Sequence, residues 1–171
     1  MSAPLPAPSR TLLLRSPEAT LKLGRKLGAL LLPFDFVALS GDLGAGKTLF
    51  VRGVAEGAGV PAGERASSPT FALVNVYRGG RVPLQHLDLY RLGGGAELFA
   101  LGFDDLLREP AATLCEWAER AHGSLPAERL EIAFATTGPR SRSAELHACG
   151  ARAEALLAAL ARRRVRSSEP E

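Results

Sequence analysis

The run Gly41-Asp42-Leu43-Gly44-Ala45-Gly46-Lys47-Thr48 sets two glycines, a lysine and a hydroxyl at the spacing Gly-x-x-x-x-Gly-Lys-Thr. A loop of this kind turns successive backbone N–H groups inward around an anion, and glycine allows both the backbone angles and the close approach. A helix beginning at Lys47 adds its positive N-terminal end. In that setting the lysine reaches the outer phosphates of a nucleotide and the threonine hydroxyl takes a magnesium coordination position. The expected cradle is therefore Asp42, Leu43, Gly44, Ala45, Gly46, Lys47, Thr48 and Leu49.

Two acidic positions further along could complete such a site. His86-Leu87-Asp88-Leu89-Tyr90-Arg91 closes an apolar strand and brings Asp88 to its end, where a second magnesium-holding carboxylate would face the loop. Leu114-Cys115-Glu116-Trp117 repeats that geometry and offers Glu116 as a further carboxylate. His86, a lone histidine beside a core strand, reads as a packed and hydrogen-bonded residue. Trp117, the single tryptophan, either stacks near a base or fills core. Thr70, in the hydroxyl-rich and proline-stiffened run Ser67-Ser68-Pro69-Thr70-Phe71, is either a switch-like sensor of phosphate or magnesium, or plain loop.

Absences narrow the chemistry. The three lysines, Lys22, Lys26 and Lys47, are none of them preceded by asparagine, so the Asn-Lys-x-Asp segment that recognises guanine is missing. Position 89 is leucine, so the carboxylate that follows the metal-binding aspartate in many motor ATPases is missing too, and slow hydrolysis is the corollary. Asp42 or Glu116 could position water, and spacing favours neither. A phosphate loop alone does not identify the reaction, and a small-molecule or nucleoside kinase using the same loop, or a nucleotide-dependent interaction module, remains open.

The elements that must hold these residues follow from apolar periodicity and breakers. Thr11 to Arg15 reads as a short strand, and Ser16-Pro17-Glu18 as an N-cap with proline in the first turn, opening a helix to Leu32 that Pro33 ends. Phe36 to Leu39 is a buried strand running into the glycine loop, and a helix follows to about Ala58. Phe71 to Tyr77 and Val82 to Asp88 make a hairpin across Arg78-Gly79-Gly80-Arg81. Short helices near Glu97 to Leu101 and Asp104 to Arg108 precede a strand Ala112 to Glu116. Strands at Arg129 to Phe134 and Ala144 to Ala148, then a helix Arg152 to Arg164, complete the pattern. The fold class is α/β, a P-loop NTPase-like mixed sheet flanked by helices with one antiparallel hairpin. The organisation expected is a disordered leader over 1–10, a single domain over 11–165 and a disordered tail over 166–171.

Composition agrees with one globular unit. The chain has 171 residues, 46% of them hydrophobic and 23% charged, enough to build a core without a disulfide or metal staple. Cys115 and Cys149 form no CxxC and no zinc spacing, which favours a reducing cytoplasm. The start is proline-rich and uncharged, and no apolar run approaches the ~20 residues of a membrane span. A net charge of +3 is a weak bias. Its one concentration, Arg162-Arg163-Arg164, suits either a solvated helix end or an acidic partner such as RNA.

Taken in order, Gly41 to Thr48, Ser68-Pro-Thr-Phe71, His86-Leu-Asp-Leu-Tyr-Arg-Leu92, Glu97-Leu98 with Leu101-Gly102, and Cys115-Glu-Trp117 resemble the TsaE (YjeE) family over roughly Thr11 to Phe134. The resemblance implies the P-loop ATPase component of bacterial tRNA threonylcarbamoyladenosine biosynthesis. Such a component binds ATP and Mg2+ and works with the TsaB–TsaD pair, which modifies adenosine 37 of tRNA. It also implies that Lys47, Thr48, Asp88 and Glu116 lie at the phosphate and metal site, with Thr70 in the switch-like segment. Two departures stand out. Leu49 replaces a common second threonine and is expected to point into its helix, and Gly93-Gly94-Gly95 replaces a polar segment.

Overall fold

The computed structural model describes residues 8–64, 69, 73–93, 95–121 and 123–161. Among the described residues seven strands, β1 (Ser9–Leu14), β2 (Phe36–Ser40), β3 (Val74–Tyr77), β4 (Leu84–Asp88), β5 (Ala112–Glu116), β6 (Arg129–Thr136) and β7 (Arg142–Cys149), form one sheet. Their order is β1-β7-β6-β2-β5-β4-β3. The centre is parallel, with β2 between β6 and β5, and β4 beyond β5. The margins are antiparallel: β3 on β4, β7 on β6 and β1 on β7. The β3–β4 hairpin matches the one expected, and β6–β7 makes a second.

Helices cover both faces. α1 (Pro17–Gly28), α2 (Lys47–Gly57) and α5 (Ala151–Ala161) lie over one side, where Leu27, Phe50, Val54 and Leu156 meet Val37, Leu39, Leu114 and Ile132. On the other, α3 (Gly95–Ala100), α4 (Phe103–Arg108) and a 3-10 turn (Ala118–Ala121) pack Leu98, Phe103 and Ala118 against Phe36, Ala38 and Cys115. Strand β2 serves both cores because successive side chains alternate, which is why its residues read as one continuous apolar run.

The α1–α2 crossing is built on glycine. Gly24 and Gly28 on α1 face α2, and Gly53 and Gly57 on α2 face α1. A methyl at Gly28 would overlap the Val54 carbonyl oxygen and lie 2.8 Å from Ala58 N, and one at Gly57 would sit 2.7 Å from Arg25 C. Backbone thus touches backbone, so the position of α2 beneath the glycine loop is set by atoms that cannot rotate away.

Several boundaries differ from expectation. β1 starts at Ser9, where Ser9 and Arg10 pair with His147 and Leu146, so the extended segment reaches into the stretch read as leader. α1 stops at Gly28 rather than Leu32. The residue before Pro33 is barred from helical angles, and the Asp35 carboxylate instead accepts from Leu32 N at 2.8 Å. The strand expected from Phe71 begins at Val74, after Leu73 with φ 62°, while 71 and 72 fall outside the described residues. Pro83 holds the start of β4 to Leu84. β6 and β7 both run longer than their apolar centres suggested. α5 is described to Ala161, and the arginine run that follows lies outside the described residues. Among the described residues no helix is long and apolar enough to cross a membrane.

Candidate functional site

Because β2, β5 and β4 are parallel neighbours, their C-terminal ends emerge along one edge of the sheet, the crevice in which open α/β sheets bind ligands. The glycine loop leaves β2 there, and Glu116 and Asp88 end β5 and β4 as register partners. A cavity of about 480 Å³ opens at this edge. Leu43, Gly44, Gly46, Lys47, Thr48, Leu49, Asp88, Glu116 and Trp117 line it, which brings nine of the sequence candidates together. Asp42 is exposed and Ala45 buried, and neither side chain lines the cavity; their Ala45 N to Asp42 O bond of 3.1 Å shapes the turn. Leu49, expected to point into its helix, is instead half-buried on the cavity wall. Position 49 lies one turn before Gly53 on the α1-facing side of α2, and Pro17 and Thr20 of α1 line the same cavity. Thr70 lies outside the described residues.

The loop has the conformation its glycines permit, with φ of 127° at Gly41, 78° at Gly44 and 105° at Gly46. L side chains avoid these angles. α2 has no side-chain cap, so its first-turn N–H groups are left for the loop's contents. Lys47 is 4% exposed. Its ammonium donates to the carbonyls of Gly41 and of Asp42, the second at 3.0 Å, and lies 3.9 Å over the Trp117 ring. Burial lowers its pKa, while the charges of Glu116, Glu119, Asp88 and Asp42 act in the opposite direction.

The carboxylates form the far wall. Glu116 is 2% exposed and Asp88 3%. Thr48 Oγ1 donates to Glu116 at 3.0 and 3.1 Å to its two oxygens, and His86 Nε2 lies 2.8 Å from Glu116 Oε1. Asp88 Oδ1 accepts from Tyr90 N at 2.9 Å, which fixes its carboxylate at the strand end. This donor set is all oxygen and doubly anionic, and a threonine that spends its hydrogen on Glu116 keeps its lone pairs free. Both properties fit a hard divalent cation such as Mg2+. His86 is the buried, hydrogen-bonded residue expected, at 0% exposure.

Trp117 adopts φ 57°, a left-handed angle unusual for a large side chain, and so turns its ring from β5 toward Lys47. It both lines the cavity and packs against the second core, with the Tyr90 ring 4.9 Å away. Strain of this kind concentrates at functional positions.

Sequence reasoning missed the wall contributed by the β6–β7 turn. Pro139, Arg140 and Arg142 line the cavity, together with Pro17, Thr20 and Tyr90. Arg142 reaches across the fold so that Nη2 donates to the Gly44 carbonyl at 3.0 Å, while Nη1 donates to Gly138 O at 3.0 Å and Ser141 O at 2.8 Å. The available signal was Gly138-Pro139-Arg140-Ser141-Arg142, a breaker pair followed by two cations between strands. Away from this site, Glu131, His147 and Cys149 hold ligand-type atoms within 4.8 Å of one another on β6 and β7. The Arg129 guanidinium already pairs with Glu131 there at 2.7 Å, which disfavours a cation.

Comparison with known proteins identifies the family and the fold. Residues 14–144 match the family described as threonylcarbamoyl adenosine biosynthesis protein TsaE. A Bacillus subtilis (strain 168) protein named tRNA threonylcarbamoyladenosine biosynthesis protein TsaE is 38% identical over 147 residues, spanning 86% of this chain and 90% of that relative. A Streptomyces coelicolor protein of the same name is 42% identical over 65% of this chain and 75% of its own. The crystal structure of Bacillus subtilis YdiB superposes with a TM-score of 0.76 at 33% identity, covering 90% of this chain and 95% of that one.

Proposed function

This chain belongs to the TsaE family of threonylcarbamoyl adenosine biosynthesis proteins, and from that premise we propose that it is a slow, magnesium-dependent ATPase acting with the TsaB–TsaD pair in the cytoplasm. Its nucleotide state resets the complex that modifies adenosine 37, and it meets tRNA indirectly through that complex. The observation that carries the reading is the Thr48 hydroxyl bonded to Glu116 beside Asp88, all three facing the glycine loop across one cavity.

Each residue has a task that its surroundings support. The loop amides from Leu43 to Thr48 and the start of α2 hold the phosphates, and Lys47 moves from the Gly41 and Asp42 carbonyls to the outer phosphate oxygens. Thr48, with Asp88 and Glu116, would hold Mg2+, which when bound neutralises charge developing on those oxygens. Trp117 and Tyr90 border the cavity as apolar walls that shield the reacting end from water. Residue 89, where a water-activating carboxylate would follow Asp88, is a leucine of 0% exposure, so the isolated protein turns over slowly and depends on its partners for speed.

Lys47→Ala and Asp88→Ala test the assignment through nucleotide binding and phosphate release. The first variant loses binding or turnover and the second loses magnesium-dependent activity; unchanged behaviour in both overturns the site. Arg140 and Arg142 on the cavity wall favour one second reading, a kinase that clamps a phosphorylated acceptor. Terminal phosphate recovered on a small organic product, rather than as inorganic phosphate, would establish it.

A further inference from the structure

His86 occupies the middle of β4, beside Leu114 of β5, with no solvent exposure. Its Nε2 lies 2.8 Å from Glu116 Oε1, and its Nδ1 is buried without a partner among the described residues. A neutral imidazole carries one donor and one acceptor. Hydrogen on Nδ1 would bury an N–H with no acceptor and turn a lone pair toward a carboxylate. Hydrogen on Nε2 leaves only an acceptor unmet and aims the N–H at Glu116, so the network assigns the Nε2–H tautomer.

A histidine kept only to fill space is a poor choice here. Its register partners are Leu114 on β5 and Asn75 on β3, the Tyr77 ring centroid is 6.5 Å away, and its Nδ1 has no partner among the described residues, whereas an aliphatic side chain would bury no unmet nitrogen. What the imidazole adds is a fixed donor to one oxygen of Glu116. That bond defines the carboxylate's orientation, and the carboxylate in turn takes the Thr48 hydroxyl hydrogen at 3.0 and 3.1 Å. The Thr48 lone pairs are thereby directed away from Glu116.

We propose that His86 is a positioning residue for the divalent cation that accompanies the nucleotide, acting by holding Glu116 and, through it, Thr48. The inference rests on the reading of Thr48 and Glu116 as cation ligands. Groups that orient metal ligands from behind change metal affinity by about ten- to a hundred-fold when removed.

The test uses the full chain with His86→Gln, His86→Asn and His86→Leu. The amide nitrogen of glutamine reaches about as far as Nε2, that of asparagine only as far as Nδ1, and leucine donates nothing. Mn2+ binding in the presence of ADP is followed by electron paramagnetic resonance, and ADP binding is measured separately in chelator. The leucine and asparagine variants bind Mn2+ about ten-fold or more weakly. Glutamine recovers most of that loss, and ADP affinity without metal is unchanged throughout. Equal Mn2+ binding in wild type, His86→Asn and His86→Leu overturns the inference, as does a glutamine variant no better than asparagine. If His86→Leu does not fold, the glutamine and asparagine pair carries the comparison. Glu116→Gln in the same assay separates the two levels. Loss of Mn2+ there with none in the His86 variants rejects the inference alone, and no loss there rejects the cation site and the inference together.

Discussion

Replacing Gly28 by alanine tests whether the site is held in place by the glycine crossing of α1 and α2. In an isolated helix the change is favourable by about 0.5–1 kcal/mol, since alanine loses less backbone freedom. In this fold the added methyl overlaps the Val54 carbonyl oxygen and comes within 2.8 Å of Ala58 N. Comfortable contact needs about 3.5–4 Å, so the helices must part by roughly 1.5–2 Å to clear that oxygen. Overpacking costs about 1–3 kcal/mol, and with backbone on the opposing side no rotamer change relieves it, which places the cost near about 3 kcal/mol. The net loss is about 2 kcal/mol, or a fall in melting temperature of about 4–8 °C for a chain of this length. Gly95→Ala, where a methyl meets nothing within 4 Å, is the control and leaves the midpoint unchanged or slightly raised. Gly24→Ala adds a functional readout. Its methyl presses on the Phe50 carbonyl, in the first turns of the helix that begins with Lys47 and Thr48, so it weakens nucleotide binding as well as stability. Denaturation midpoints and ADP affinity are the assays. A Gly28→Ala protein as stable as wild type would refute the claim that backbone contact fixes α2.

Further outcomes follow from the same contacts. Arg142→Ala removes the donor to Gly44 O and weakens nucleotide binding about ten-fold, the worth of one charged hydrogen bond at about 1.5 kcal/mol, as isothermal titration would register. Lys47, whose native pKa is lowered mainly by burial, gives a definite pH signature. Below its native pKa both states hold the proton and the cost of burying the charge is fully present. Between that pKa and the ordinary value of 10.5 the unfolded chain binds more protons, so wild type gains stability relative to Lys47→Met as pH rises through this window. Urea midpoints of the two proteins across that range check it, and a difference independent of pH contradicts it. Trp117, the single tryptophan, reports on Lys47 directly. Nucleotide changes its emission in wild type, and the same addition leaves Lys47→Met unaltered.

What could be read in the sequence was whatever had local cause. The glycine loop, the buried run Phe36 to Leu39 and the strand ends at Asp88 and Glu116 are short-range features, and the fold sets them side by side because parallel strands share a direction. Arg142 was invisible because its partner Gly44 lies across the chain and the contact depends on the antiparallel register of β6 and β7, which alternation does not reveal. The end of α1 was misplaced because Leu30 and Leu31 continue the apolar spacing after the backbone has left the helix. Burial there reports packing, since Leu31 is 0% exposed, and the helix ends about one turn before the residue that the apolar pattern suggests. The glycines of α1 and α2 carried no reading from sequence, yet their spacing of four on both helices is what lets the two backbones meet. Leu49 was legible as part of the loop and Trp117 as a base-stacking or core residue, while their exposure to the cavity depended on the turn at φ 57° and on where α1 begins beside the first turn of α2.

The most direct test follows terminal-phosphate-labelled ATP with this protein alone and with the TsaB–TsaD pair and substrate tRNA. The account predicts label released slowly as inorganic phosphate by the protein alone, faster with the pair, and lost in Lys47→Ala. Label transferred to a small acceptor, or a rate indifferent to the pair, would contradict it.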